Sequence, residues 1–132
     1  MSFYPAKKGT ILIPSGRTDH LSIICCDPVY YPRTLTDSVL IVNVSTVTDK
    51  NHVDKTCILK AGDHEFIRHD SFIFYQKADI YSVDNLIKNV NDGSFVCHKP
   101  CNDDTFNRIL LGFETSKFVI YKVKQFYLKH CK

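Results

Sequence analysis

Two hydroxyls close the longest apolar stretch in the middle of this chain: Val39-Leu40-Ile41-Val42-Asn43-Val44 is followed by Ser45-Thr46. Imidazoles stand on either side of it in sequence. His20 opens the run Leu21–Cys26, with Arg17 three residues earlier, and His64 and His69 share the segment Gly62–His69 with Arg68. An alcohol, an imidazole and a guanidinium suit chemistry at a phosphoryl group. The guanidinium grips two oxygens in parallel, the imidazole exchanges a proton near neutrality, and the hydroxyl orients a third oxygen. On this reading Arg17 supplies charge, His20 exchanges the proton with His64 as the second acid–base candidate, and Ser45 and Thr46 orient the phosphate. Each group also has a plainer reading. Strand-end hydroxyls commonly satisfy nearby backbone, a loop arginine is commonly solvated, and residues 62–70 read equally as a charged turn.

Two further groupings invite chemistry. Tyr30 and Tyr31, with Pro32 and Arg33, occupy an expected loop, where a tyrosine can stack on an unpaired base or pack the loop against its scaffold. Cys97-His98-Lys99-Pro100-Cys101, joined by His130-Cys131, holds zinc-type ligands. Its spacing is no CxxC knuckle and the two pairs are out of phase, so no metal is expected. The six cysteines are expected as reduced, small hydrophobes. Cys25 and Cys26, adjacent on a strand, face opposite ways and cannot bridge each other. No Gly-rich phosphate loop occurs.

The elements that must position these groups follow from composition and periodicity. With 132 residues and 44% hydrophobic content, one folded domain over 1–132 is expected and disorder is excluded. No apolar run approaches the ~20 residues of a membrane span. The first residues lack the apolar core of a signal peptide, so a cytoplasmic location and no membrane partner are expected. The net charge of +3 names no partner. Its distribution is more informative: after Glu114 come Lys117, Lys122, Lys124, Lys129 and Lys132 and no acid. Such an end suits a phosphate backbone or an acidic protein segment, or is a solvated helix face.

Strands are expected at Thr10–Ile13, Leu21–Cys26, Val39–Val44, Cys57–Leu59 and Ser71–Tyr81, the third of them central and covered on both faces. Ser82 is expected to cap a helix to about Asn91, with Gly93 beyond it. Asn102 caps a second, with Asp103 and Asp104 at its positive end and Gly112 after it. Thr115 or Ser116 caps a third, reaching about His130, with Val119, Val123 and Phe126 on one face. Phe118–Val123 also reads as a strand. The fold class is therefore mainly β with C-terminal helices, a small barrel or sandwich over about 8–81 and a helical extension over about 82–132.

The order Lys8-Gly9-Thr10-Ile11-Leu12-Ile13-Pro14, a polar loop, His20-Leu21-Ser22-Ile23-Ile24, Val42-Asn43-Val44-Ser45-Thr46, Phe72-Ile73-Phe74-Tyr75 and Ala78-Asp79-Ile80 resembles the PemK/MazF-like toxins of toxin–antitoxin systems. The likeness covers about residues 8–81. It implies an SH3-like β-barrel and a toxin-type endoribonuclease that cleaves single-stranded RNA without metal or cofactor. In that reaction the ribose 2′-hydroxyl attacks its own phosphate. Ser45 falls where the family carries its hydroxyl. The family's arginine position holds His20, so Arg17 must supply the charge. Arg68, His69, Tyr30, Tyr31 and Arg33 are the RNA-binding candidates. RNA, a cognate antitoxin and a second copy of the chain are the implied partners. The alternative is a non-catalytic nucleic-acid- or protein-binding module of a toxin–antitoxin or phage-defence system, since this fold hosts many functions.

Overall fold

The computed structural model describes residues 3–16, 18–49 and 52–132. In chain order the elements are β1 (Thr10–Ser15), β2 (Thr18–Ile24), β3 (Val29–Tyr31), β4 (Thr36–Thr46), β5 (Ile58–Leu59), β6 (Ser71–Ile73), β7 (Asp79–Ser82), α1 (Val83–Asn91), β8 (Val96–His98), α2 (Asp103–Thr115) and α3 (Tyr121–His130). The class is mixed β and α, with an antiparallel sheet in the order β5-β6-β4-β2-β1-β8. β5 and β8 are its ends and do not pair with each other. The expected closed barrel is thus an open sheet among the described residues. Among the described residues no helix is long and apolar enough to cross a membrane.

β4 organises the rest. Val39–Val42 are buried without a break, so both faces of the strand are covered, as a continuous apolar run requires. Both edges are occupied too. β2 and β3 lie along one edge, against Ile41–Asn43 and Thr36–Ser38. β6 and β7 lie along the other, against Val44–Thr46 and Ser38–Ile41. This saturation buries the middle of β4 and leaves its two ends near the surface, Thr36 and Asp37 at the start and Ser45 and Thr46 at the finish.

Five sequence expectations are corrected. Tyr30 and Tyr31 stand on a strand, β3, and Tyr31 packs edge-on against Phe126 of α3 with ring centroids 5.2 Å apart. Ser71–Tyr81 is two strands divided by a 3₁₀ turn at Tyr75–Lys77. The turn exists because Tyr75 leaves the strand path for the interior, where it is fully buried and its hydroxyl donates to the Ile109 carbonyl at 2.7 Å. α2 does not stop at Gly112 but runs through it to Thr115. The glycine is needed for space, since a Cβ there would lie 1.8 Å from Tyr75 Oη. α3 begins at Tyr121, with Ile120 at its cap position and no side-chain cap, rather than at Thr115 or Ser116. Ser116 is engaged elsewhere: its hydroxyl donates to the buried Asp54 carboxylate at 2.6 Å. Lastly, β8 pairs with β1 through Thr10–Leu12, so the sheet extends into the segment expected to be helical.

Other expectations hold. The Ser82 side chain accepts from Asn85 N–H and that of Asn102 from Thr105 N–H, satisfying helix-start donors. Gly93 follows α1 with φ +84°, a left-handed geometry that suits glycine. Val123 and Phe126 are buried, with Tyr127 beside them. Phe113 stacks on Tyr127 at 5.2 Å and meets Tyr75 edge-on at 4.9 Å. This aromatic series joins the 3₁₀ turn, α2 and α3.

The basic C-terminal segment serves the fold. Lys122 pairs with Asp79 at 3.0 Å and Lys132 with Glu114 at 3.0 Å. Lys124 donates to the Phe113 and Glu114 carbonyls at the end of α2, where a cation meets the negative helix terminus. The Tyr127 hydroxyl and Lys132 hold the Glu114 carboxyl below its usual range.

Candidate active site

The β2–β4 register brings two of the expected residues together. Ser22 faces Asn43 across the strands. Two residues beyond that last pair, His20 and Ser45 leave the same face of the two strands. His20 Nδ1 lies 3.2 Å from the Val44 carbonyl. A carbonyl only accepts, so Nδ1 carries the proton of the neutral ring and Nε2 keeps the lone pair. A fixed tautomer of this kind is what a general base requires.

His20 and Ser45 line a cavity of about 580 Å³, together with Thr46, Arg68, His69 and His98. That volume falls within the ~300–1,000 Å³ of ligand sites. The segment Glu65–His69 forms the opposing wall, and Thr18 and Asp19 add the start of β2. Thr46 and Ser45 are held by pairing with Ser71 and Phe72 of β6. Of the ten expected catalytic and RNA-binding residues, the cavity gathers five.

His98 and Glu65 join them without having been expected as acid–base groups. His98 ends β8, and its Nδ1 stands 4.0 Å from Glu65 Oε1. The Phe66 ring meets the imidazole edge-on at 5.6 Å, and Lys99 Nζ balances the same carboxylate at 3.5 Å. The cavity therefore holds three imidazoles, His20, His69 and His98; the His20 Nδ1 has a carbonyl acceptor, and the His98 Nδ1 faces a carboxylate 4.0 Å away. The short stretch Val96-Cys97-His98 between Gly93-Ser94 and Pro100 was the available signal for a strand. Its ligand-like residues directed attention to metal instead.

His64 does not line this cavity. It is buried, its Nδ1 accepts from Phe66 N–H at 3.0 Å, and its Nε2 donates to the Lys99 carbonyl at 2.6 Å. Both ring nitrogens are committed to backbone, so the expected acid–base role gives way to a positioning one. His64 ties the turn that carries Glu65, Phe66 and Arg68 to the segment after β8. His64→Ala leaves the Phe66 N–H without its partner, at about 1–3 kcal/mol, and removes one of the two donors to the Lys99 carbonyl, which keeps the Thr10 hydroxyl. A lower melting temperature, with the cavity residues themselves intact, is the expected result. An unchanged melting temperature in differential scanning calorimetry would remove this role.

Tyr30, Tyr31 and Arg33 are not brought to the cavity. Tyr30 pairs with Asp37, eight residues from Ser45 along β4, or up to ~26 Å at ~3.3 Å per residue. Arg17 lies outside the described residues. Of the ligand-rich segments, Cys97 is exposed on β8, Cys101 is buried, and Cys131 caps the end of α3. Among the described residues no group of three or more His, Cys, Asp or Glu could hold a metal ion. Burial pushes the Cys101 thiol up to about 11 and raises Cys25 and Cys57 as well, which leaves them poor nucleophiles. Comparison of the chain with protein-family models, curated proteins and solved structures gave no match.

Proposed function

We propose that the chain is a metal-independent endoribonuclease for single-stranded RNA. The observation that carries this reading is one cavity lined by His20, its Nδ1 held on the Val44 carbonyl, and by His98, beside Glu65, together with Arg68, Ser45 and Thr46. His20 Nε2 takes the proton of a ribose 2′-hydroxyl as its oxygen attacks the adjoining phosphorus. The bond from phosphorus to the 5′-oxygen breaks, and His98, protonated at Nε2, supplies the proton to that oxygen. The products are a 2′,3′-cyclic phosphate and a 5′-hydroxyl end. Arg68 offsets charge on the equatorial oxygens, and the Ser45 and Thr46 hydroxyls donate to them. The polar wall holds the strand so that attacking and leaving oxygens stand in line.

The SH3-like scaffold belongs to the same proposal. β4 supports it by pairing with β2 and β3 along one edge and β6 and β7 along the other. RNA is the partner this chemistry names; no observation favours an antitoxin segment or a second copy, and neither enters the mechanism. The test is incubation of purified protein with mixed-sequence single-stranded RNA in excess chelator. Fragments ending in 2′,3′-cyclic phosphate are expected. RNA that is bound and left intact would overturn the catalytic reading and leave a binding module.

A further inference from the structure

A second cavity, of about 200 Å³, lies on the far side of His20 and Ser45, which line both. Its other walls include Ser22, Asn43, Lys77 and Tyr81. The strand period explains the arrangement. Ser22 is two residues from His20 and Asn43 two from Ser45, so all four side chains leave the same face of the β2–β4 pair. Tyr81 of β7 faces Val39 across β4 and closes the side. Lys77, exposed at the end of the 3₁₀ turn, holds its ammonium 5.0 Å over the Phe74 ring.

We infer that the two cavities are halves of one groove for single-stranded RNA, divided by His20 and Ser45 at the scissile phosphate. The second cavity takes the nucleotide on one side of the cut. This rests on the nuclease reading of the first cavity. At about 200 Å³ the second is smaller than the ~300 Å³ at which small-molecule sites begin, so it fits part of a ligand that continues elsewhere. Its chemistry suits a nucleotide. The Asn43 amide offers a donor and an acceptor to a base edge, the Ser22 hydroxyl adds one more group, and the Tyr81 ring offers a face for stacking. Lys77 at the rim meets the next phosphate as a point charge. A mononucleotide-sized ligand would need neither Lys77 nor a shared wall.

The test is fluorescence anisotropy with a fluorescein-labelled ten-nucleotide 2′-O-methyl RNA, which lacks the attacking hydroxyl and stays intact. Lys77→Ala and Tyr81→Leu are expected to weaken binding about five- to tenfold each, in the range of one lost stacked base or phosphate contact. Lys129→Ala, the same charge loss at an exposed position of α3, is expected to leave it unchanged. Asn43→Ala is expected to relax the base preference of cleavage on one side of the cut only. Melting temperatures establish folding, and the exposed Lys77 carries the test if Tyr81→Leu does not fold. Unchanged affinity in Lys77→Ala overturns the groove, as does a nucleoside 3′-monophosphate that binds as tightly as the ten-mer. Binding that needs Lys77 with no cleavage of ordinary RNA leaves the groove standing and overturns the nuclease.

Discussion

On the proposed mechanism, His20→Ala is expected to lower RNA cleavage by about 10²–10⁴-fold, the range lost with a positioned general acid or base. The fold survives, because His20 is only half-buried and its hydrogen bond to the Val44 carbonyl contributes about 1 kcal/mol. Activity and stability therefore separate: the rate constant falls by orders of magnitude while the melting temperature moves by a few degrees. His98→Ala produces a loss of similar size by removing the other proton-transfer group. The double variant is no worse than the weaker single one by more than a small factor, since acid and base act as one unit. Stopped assays of initial rate with the four proteins read all of this. Cleavage retained within tenfold in His20→Ala would exclude the ring as the base.

The largest stability effect falls far from the site. Gly112→Ala places a methyl 1.8 Å from Tyr75 Oη and 2.4 Å from Cζ. Tyr75 cannot give way easily, because it is fully buried, bonded to the Ile109 carbonyl and packed against Phe113. Overpacking of this kind costs about 3 kcal/mol or more, and the better helix propensity of alanine offsets only ~1 kcal/mol. A net loss of about 2 kcal/mol lowers the melting temperature by about 8 °C in a chain of this size. In a Tyr75→Phe background the penalty shrinks, since the atom nearest the new methyl is gone, and the two substitutions are non-additive. Thermal unfolding of the two single variants and the double variant measures this. A stabilised Gly112→Ala protein, as in an open helix, would show that the tyrosine moves aside freely.

The same two residues mark what the sequence made legible. Gly112 read as a helix stop because glycine after a periodic run commonly is one. Its real constraint comes from a ring 37 positions away, which no local pattern records. The helix starts at Ser82 and Asn102 were legible because a cap depends on the residue and the next three only. β4 was legible because burial on both faces imposes an unbroken apolar run. Ser71–Tyr81 was misread as one strand, since aromatic content cannot show that Tyr75 leaves the sheet for the α2 interior.

The site was half legible for the same reason. Ser45 and Thr46 stood out by ending the central strand, and His20 by opening its neighbour, so strand register alone could join them. Arg68 and His69 followed from their turn. His64 read as the second acid–base group, but its role is decided by the Lys99 carbonyl, 35 residues onward. His98 looked like a metal ligand because its neighbours are cysteines, one of which points to solvent and the other to the core. Tyr30 and Tyr31 looked like base-stacking residues until β3 paired them with the wrong end of β4.

The most direct test of the account compares one RNA strand with the same strand carrying a single 2′-deoxy nucleotide at its cleaved position, both in excess chelator. The account predicts that the ribose strand is cut to a 2′,3′-cyclic phosphate and that the deoxy substitution abolishes the cut at that position alone. Cleavage of the deoxy strand at the same position and rate, or dependence of the ribose reaction on added metal, would contradict attack by the 2′-hydroxyl between His20 and His98.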